Sequence, residues 1–313
     1  MARLVTFDEF TAGARPQGGS IAELVIGEIT NLISRRRPAM NVLGSEDVSN
    51  TFVELQTDDL ASRAHNAAVE GAQFTNPSLT QPTRHFVHVQ SFAKWGEVSD
   101  EQSMVRHYGM SDPFTYQGVK KMQECLNDIE HTLHRGSAAT GETDVSRQFG
   151  GFLNVASSDV FTSSSGTTLT EEVFIDLLQR WRDQNYDIRP TIAFVNSYLK
   201  RTVTGYTTKV TRNVDVDDRR QVLNIERHES DFGSLDIMHS EDQLLAASKT
   251  AQGNSIVFID PEHLMIGWLR RPMVEPLSRA GFSNRFQINA QCTLIYKHPV
   301  AMGGGTGFVS LIP

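Results

Sequence analysis

Cysteine and long apolar runs are scarce in this 313-residue sequence, and each scarcity excludes a class of protein. Two cysteines, Cys125 and Cys292, are too few for a disulfide framework or a cysteine-based zinc module, so we expect reduced thiols. No run of about 18 apolar residues occurs, and the first residues, MARLVTFDEF, lack the apolar core of a secretory signal. The sequence therefore predicts a soluble intracellular protein that does not span a membrane.

Positive charge is also in deficit, because 29 Lys and Arg stand against 37 Asp and Glu, a net charge of −8. Such a chain does not favour nucleic-acid binding over most of its surface, although a local basic patch can still bind it. The basic run Arg35, Arg36 and Arg37, followed by Pro38, has two interpretations. It contacts nucleic acid, or it complements the C-terminal end of a helix predicted over 20–37. The second is favoured, because three arginines make a small patch.

Known catalytic motifs are missing as well. Neither G-x-S-x-G nor H-E-x-x-H occurs. The stretch GSAATGET (136–143) has the glycine spacing of a phosphate-binding loop, but Glu142 stands where that chemistry needs lysine. The segment also follows a helix rather than a strand, so we interpret it as a flexible loop. The glycine-dense GGGTG (303–307) predicts a turn before the last strand.

Helix and strand signals mix without a regular βαβ alternation, and 313 residues suffice for two domains or one with a large excursion, which predicts an α+β fold. The clearest signal is a helix over 113–135, with Asp112 as N-cap, Pro113 in the first turn and Gly136 at its end. Its apolar stripe consists of Val119, Met122, Leu126, Ile129 and Leu133. Further helices are predicted from Thr170 and over 197–206. Strands are predicted at 52–56, 85–89, 191–195, 255–259, 265–269 and 286–296.

Histidines and acids are concentrated in HESDFGSLDIMHS (228–240), which raises the question of a metal or acid–base site. The candidate residues are His228, Asp231, Asp236 and His239. A solvated hairpin explains the same residues without any reaction, and we favour it. A second pair, His131 and His134, could share a ligand face near the end of the long helix, where protonated histidines also suit the helix dipole. No cofactor, metal site or catalytic residue is therefore predicted.

A long polar excursion separates the two strands at 52–56 and 85–89. Structureless loops of more than about 12–15 residues are uncommon inside a compact domain. The excursion, with EGAQFTNPSLTQP at its centre, therefore predicts contact with an external partner.

The order of these features resembles the major capsid proteins of tailed bacteriophages, which have the Hong Kong 97-type fold. HFVHVQSFAKWGEVSDEQ resembles the strand that closes the excursion, and NDIEHTLHRG with RQFGGFLN resembles the end of the long helix and the glycine pair after it. LTEEVFIDLLQRW with PTIAFVNSYLKRTVTGY resembles the next helix–strand–helix unit. HESDFGSLDIM and SIVFIDPEHLMIGWLR resemble two later strands. The resemblance covers 45–300, and one departure is the longer link EDQLLAASKTAQGN (241–254).

The resemblance implies an N-terminal arm and helix over 1–44, an extended loop over 45–98 and a peripheral domain with a spine helix over 99–149. It further implies an axial domain over 150–272 and a return to the peripheral domain over 273–313. The chain would associate with itself in hexamers and pentamers and enclose double-stranded DNA without sequence-specific binding. Portal, scaffolding and decoration proteins are further candidate partners, and no membrane is involved. The protein would be made in the host cytoplasm and reside in the virion. No cross-linking residue can be carried over.

Two alternatives remain at this point. An encapsulin-type compartment has the same fold but loads proteins. A metal-dependent hydrolase would use His228, Asp231, Asp236 and His239.

Overall fold

The computed structural model describes residues 36–58, 60, 65, 67, 69–71, 81–105, 107, 112–141, 145–183, 187–206, 227–243, 254–279 and 281–309. The helices are α1 (Pro38–Val42), α2 (Asp100–Met104), α3 (Pro113–Arg135), α4 (Phe152–Val155), α5 (Glu171–Asp183) and α6 (Ser197–Tyr206). The first six strands are β1 (Gly44–Asp47), β2 (Phe52–Thr57), β3 (Thr83–His88), β4 (Gln90–Ser99), β5 (Phe161–Thr168) and β6 (Ile192–Val195). The later strands are β7 (Arg227–Ser230), β8 (Gly233–His239), β9 (Asn254–Ile259), β10 (Leu264–Leu277), β11 (Ser283–Tyr296) and β12 (Met302–Val309). The mixed α+β fold is confirmed. In this part of the chain, no helix is long and apolar enough to cross a membrane.

The long helix α3 begins and ends where the sequence predicts. The carboxylate of Asp112 accepts hydrogen bonds from the backbone N–H of Phe114 at 3.1 Å and of Thr115 at 3.2 Å. Pro113 has no backbone N–H, and the first turn of a helix leaves such groups unpaired in any case, while Gly136 follows the last turn. Residues adjacent in sequence therefore specify both ends of the helix. Its 23 residues span roughly 34 Å at about 1.5 Å per residue.

The buried face of α3 is rotated relative to the predicted stripe. Val119 is 55 % exposed, and Leu126 is only partly buried. The buried positions are Gly118, Cys125, Ile129, Glu130, Leu133 and His134, together with Pro113. Ile129 and Leu133 of the predicted stripe are buried as expected. The prediction missed the rest of the packed face because it counted only apolar residues, whereas Gly118 and the hydrogen-bonded side chains of Glu130 and His134 complete that face.

A four-stranded sheet, with the order β1-β10-β11-β4, packs one face against α3. Strands β10, β11 and β4 are antiparallel neighbours, and β1 pairs in parallel with β10. Phe286, Ile288 and Ala290 of β11 are fully buried at alternate positions, and the ring of Phe286 meets that of Phe114 edge-on at 5.2 Å. The alternation of buried and exposed residues therefore reflects one face on the helix and one open face.

A six-stranded sheet, with the order β5-β12-β9-β6-β8-β7, forms the second layer. Its inner strands β6 and β9 are buried at every position. Phe194 and Val257 contribute to the core that contains α3, whereas Ala193 and Phe258 contribute to a second core beneath α5 and α6. Because both faces are covered, these strands appear in the sequence as continuous apolar runs rather than alternating ones.

The strands β2 and β3 form a separate two-stranded antiparallel sheet. Val87 is buried and Val53 and Leu55 pack partly against the main core, so one face of the hairpin touches the rest of the subunit. On the other face, Phe52 is 43 % exposed and Phe86 is 56 % exposed. Residues 72–80 of the predicted excursion lie outside the described part of the chain.

The strand pairing differs from the expected segments at three places. β1 (from residue 44) and β4 (to residue 99) lie almost wholly within the expected loop over 45–98, but their register pairs them with β10 and β11 in the four-stranded sheet. The expected boundary after residue 272 falls inside β10, which continues to Leu277. The last strand, β12, does not return to the four-stranded sheet, because it pairs with β9 and β5.

Candidate functional site

The stretch 228–240 forms the hairpin β7–β8, which does not bring its four candidate residues together, although Asp236 and His239 both line one cavity. His228 pairs with Leu235, so its ring lies on the buried side of the hairpin and meets Phe174 edge-on at 5.2 Å. Asp231 lies in the tight turn, and Asp236 lies on the opposite face of the strand from Leu235. In the described residues, no group of three or more His, Cys, Asp and Glu side chains is placed to hold a metal. The geometry therefore gives no support to the metal site.

The hairpin is less solvated than expected. Burial lowers the pKa of His228, and its Nε2 atom is shielded from solvent without a hydrogen-bond partner in the described residues. Asp236 is bound by the Arg227 guanidinium, with Nε to Oδ1 at 2.8 Å, and this hydrogen bond lowers the pKa of the carboxyl group. The expectation of a wholly solvated hairpin is therefore wrong at His228, because that ring completes the apolar contact with α5.

His131 and His134 do not share a ligand face. His131 is exposed, and its Nδ1 atom lies 2.8 Å from a carboxylate oxygen of Asp242. His134 is fully buried, and its ring meets Phe152 and Phe194 edge-on at 5.3 and 5.1 Å. Because one histidine faces solvent and the other the core, the pair cannot bind one metal.

A buried polar network around His134 is the feature that the sequence analysis missed. Glu130, one turn earlier, is 1 % exposed and lies 3.3 Å from His134 Nε2. Ser240 also approaches Nε2 at 3.2 Å, and the Gln243 side-chain amide lies 2.7 Å from Nδ1. The side chain of Gln243 is in turn bonded to the Ser255 hydroxyl at 2.6 Å. The segment 240–243 and, through Gln243, strand β9 are thereby fixed to one end of α3.

The same network holds the segment that contains α1. The two carboxylate oxygens of Glu130 accept the backbone N–H groups of Ala39 at 2.8 Å and Met40 at 2.9 Å. Both donors belong to the first turn of α1, where helical N–H groups have no partner within the helix. A Glu–His pair four residues apart was present in the sequence as a signal, but only the fold shows that it is buried. This arrangement joins elements and does no chemistry.

Neither glycine-rich stretch is a phosphate loop. Residues 136–141 follow α3 without a helix or strand of their own, apart from a single β-bridge between Ala139 and Gln148, and residues 142 and 143 lie outside the described part of the chain. The predicted turn at 303–307 is wrong, because these residues lie inside the buried strand β12. A Cβ atom on Gly303 would come closer than 3.0 Å to the Trp181 ring, and one on Gly304 would come that close to the carbonyl of Ile256. The glycines therefore let the strand pack closely against its neighbours.

Exposed apolar side chains distinguish the surface of the described residues. On the open face of the four-stranded sheet, Trp95 is 74 % exposed and Met273 is 52 % exposed. Phe282, in the turn before β11, is 88 % exposed, and the hairpin adds Phe52 and Phe86. Large side chains of this kind, grouped on two surfaces, indicate contacts with other proteins.

A subunit with two main sheets, a separate hairpin and exposed apolar surfaces, and with no assembled catalytic group in its described residues, has the architecture of a shell-forming protein with the Hong Kong 97-type fold. The sequence model of the SU10 major capsid protein family matches residues 6–308, and the chain belongs to this family. It is therefore a structural protein of the virion that forms the phage head shell, and not an enzyme. The hydrolase alternative is wrong.

Solved structures show the same fold at low sequence identity. The capsid of the native GTA particle is 13 % identical, with a TM-score of 0.67 over 96 % of this chain and 99 % of that one. The cyanophage A-1(L) capsid is 11 % identical, with a TM-score of 0.69 over 93 % of this chain and 98 % of that one. The holo-SrpI encapsulin complex from Synechococcus elongatus is 10 % identical, with a TM-score of 0.60 over 94 % of both chains. No curated protein matches the chain. The fold is thus common to capsids and encapsulins, and the family match distinguishes between them.

Proposed function

We propose that the hairpin β2–β3 and the excursion between its strands lie on a neighbouring subunit in the shell. The observation that carries this proposal is the exposed hairpin face with Phe52 and Phe86, because it has no partner among the described residues of the subunit itself. A two-stranded hairpin is marginally stable by itself in water, so a second covering surface is expected.

The free energy that this contact contributes can be estimated from the exposed fractions of the Phe52 and Phe86 side chains. Complete burial of a Phe side chain contributes about 1.5–3 kcal/mol. Because Phe52 and Phe86 are already about half covered, the two together would contribute a further ~1.5–3 kcal/mol for each hairpin that docks. The contact is repeated by every subunit, so small contributions decide whether a closed shell forms.

Within this proposal, α3 and the four-stranded sheet make up the peripheral domain, with α3 as its spine. The six-stranded sheet with α5 and α6 makes up the axial domain. Subunits associate in hexamers and pentamers, and the shell encloses double-stranded DNA without reading its sequence. The net charge of −8 supports enclosure without extensive binding to the wall. Portal, scaffolding and decoration proteins are the further partners that a DNA-filled shell of this kind would use.

Paired variants test the hairpin contact. Phe52→Ser with Phe86→Ser should leave soluble subunits but reduce the yield of closed shells in negative-stain images and size-exclusion profiles. Gln56→Ser, on the same exposed face of the hairpin, is the control and should assemble as the unmodified chain does. Closed shells at unchanged yield from the double variant would show that this face does not lie on a neighbour.

A further inference from the structure

A cationic cavity lies between the residues that precede α1, helix α6 and the hairpin β7–β8. Its volume is about 840 Å³, and it is open to solvent on one side. Four cationic side chains line it, from Arg36, Arg37, Lys200 and Arg227, against the single carboxylate of Asp236. This concentration of positive charge stands out in a chain whose net charge is −8.

Three of these cations have no counter-charge in the described part of the chain. Arg227 is neutralised by Asp236 at 2.8 Å, whereas no ion pair to a described carboxylate forms at Arg36, Arg37 or Lys200. Several other arginines of the subunit do form ion pairs. Arg271, for example, pairs with Asp47 at 2.9 Å. The cavity therefore gathers cations that repel one another, an arrangement that a bound anion would relieve.

Arg37 also carries an unsatisfied donor. Its Nη1 atom is shielded from solvent and has no hydrogen-bond partner among the described residues. A buried guanidinium N–H without an acceptor is costly, and such groups are normally satisfied by a side chain, water or ion. Arg37, whose side chain lines the cavity, therefore has hydrogen-bonding capacity that the described residues leave unused.

His239, also in the cavity wall, adds hydrogen-bonding capacity without adding charge. Burial lowers its pKa; the charges of Lys200 and Arg36 lower it further, against an opposing effect of Glu241. Its imidazole is therefore neutral near pH 7, and one ring nitrogen can donate to an anion while the other accepts.

We propose that this cavity binds phosphate groups. A single carboxylate would neutralise only one of the three unpaired cations, whereas a phosphate group with two charges, or neighbouring phosphates of one chain, would neutralise more. The planar fork of an arginine also matches the oxygens of a phosphate. Two sources share this chemistry, the phosphodiester backbone of enclosed DNA and a free phosphate-bearing small molecule. The first source rests on the proposed enclosure of DNA, and binding at this site would be independent of base sequence.

The test uses unassembled full-length subunits and two phosphate probes. Anisotropy of a short labelled DNA duplex is measured over a salt series, and pyrophosphate is titrated by calorimetry. Arg37→Gln and Lys200→Gln each remove one cavity cation. Arg201→Gln is the control, because it removes the same charge from an exposed position beside Lys200 that does not line the cavity.

Each cavity variant should weaken binding about tenfold, the effect of losing one charge-assisted hydrogen bond. On the duplex, the slope of log affinity against log salt should also fall by about 1. Arg201→Gln should bind as the unmodified chain does. An effect on the duplex alone identifies the DNA backbone as the source, and an effect on pyrophosphate identifies a free phosphate compound.

Three outcomes would overturn the proposal. The first is that the unmodified chain binds neither probe. The second is that Arg37→Gln and Lys200→Gln both bind the probes as well as Arg201→Gln does. In the third outcome, the variants lose particle formation with unchanged binding, which would assign the cavity to a carboxylate of a neighbouring subunit. Negative-stain imaging of the same preparations tests shell formation separately, because the binding measurement does not require assembly.

Discussion

Replacement of Glu130 by Ala should destabilise the subunit more than any other change of a single carboxylate on α3. The side chain is 1 % exposed and accepts two backbone N–H groups of α1 and a hydrogen bond from His134. The variant leaves these donors buried without an acceptor. Each unsatisfied buried donor costs about 1–3 kcal/mol, so the two backbone donors alone predict a loss of roughly 2–6 kcal/mol. This is a large part of the roughly 5–15 kcal/mol that stabilises a typical domain.

The measurement is urea unfolding of unassembled subunits, followed by tryptophan fluorescence. Trp181 and Trp268 are 2 % and 7 % exposed and would report loss of the two cores. Glu130→Gln should lose less stability than Glu130→Ala, because its amide keeps one acceptor oxygen. Glu124→Ala is the matched control, since Glu124 forms a part-exposed ion pair with Lys121 and such pairs contribute about 0.2–1 kcal/mol.

The location of the effect provides a second readout. Residues 36–43 are held to α3 by the Glu130 hydrogen bonds, so Glu130→Ala should expose this segment to proteolysis before the rest of the subunit unfolds. If Glu130→Ala unfolds within about 0.5 kcal/mol of the unmodified chain, the value of an ordinary surface substitution, the carboxylate does not hold α1 and the reasoning is refuted.

Three further predictions concern the packed interior. Gly304→Ala should give little soluble subunit in expression trials, because the φ of +131° at Gly304 and the nearby Ile256 carbonyl both oppose a Cβ atom. The control Gly44→Ala should be tolerated. Equal solubility of the two variants would contradict the packing of β12. Ile129→Ala should lower the free energy of unfolding in urea by about 2–5 kcal/mol, because Ile129 is fully buried, whereas Val119→Ala should lower it by less than about 0.5 kcal/mol. The reverse order would mean that the buried face of α3 is a different one. Burial raises the pKa of the Cys292 thiol, so the thiol stays protonated well above neutral pH and should resist alkylation until denaturant is added. Rapid labelling of Cys292 in the folded subunit would disprove its burial.

Local signals placed most of the secondary structure correctly. Asp112, Pro113 and Gly136 fix the ends of α3 because capping depends on residues adjacent in sequence. The apolar runs of β6 and β9 likewise predicted strands, and the structure covers both strands on both faces. The order of such segments was sufficient to indicate the capsid fold, which the family match then confirmed.

The sequence-based predictions were wrong where the role of a residue depends on a partner that is far away in the chain. The glycines of β12 resemble a turn in sequence, yet Trp181 and Ile256 pack against them from elements far away in the chain. His228 was expected in solvent, yet Phe174 covers its ring. Neither contact produces a periodic pattern or a motif of adjacent residues in the sequence, because the residues meet only when the sheets and helices pack together.

The α+β class, the long helix and the sequence of strands along the chain can be read from local patterns in the amino-acid sequence, as can the lack of a known catalytic motif. These properties depend on capping, periodicity and composition, all of which act over a few residues. Only the packed fold shows that Glu130 and His134 form a buried network, and that Arg36, Arg37 and Lys200 line one cavity. Burial and charge convergence depend on segments about 100 residues or more apart, and only packing brings those together.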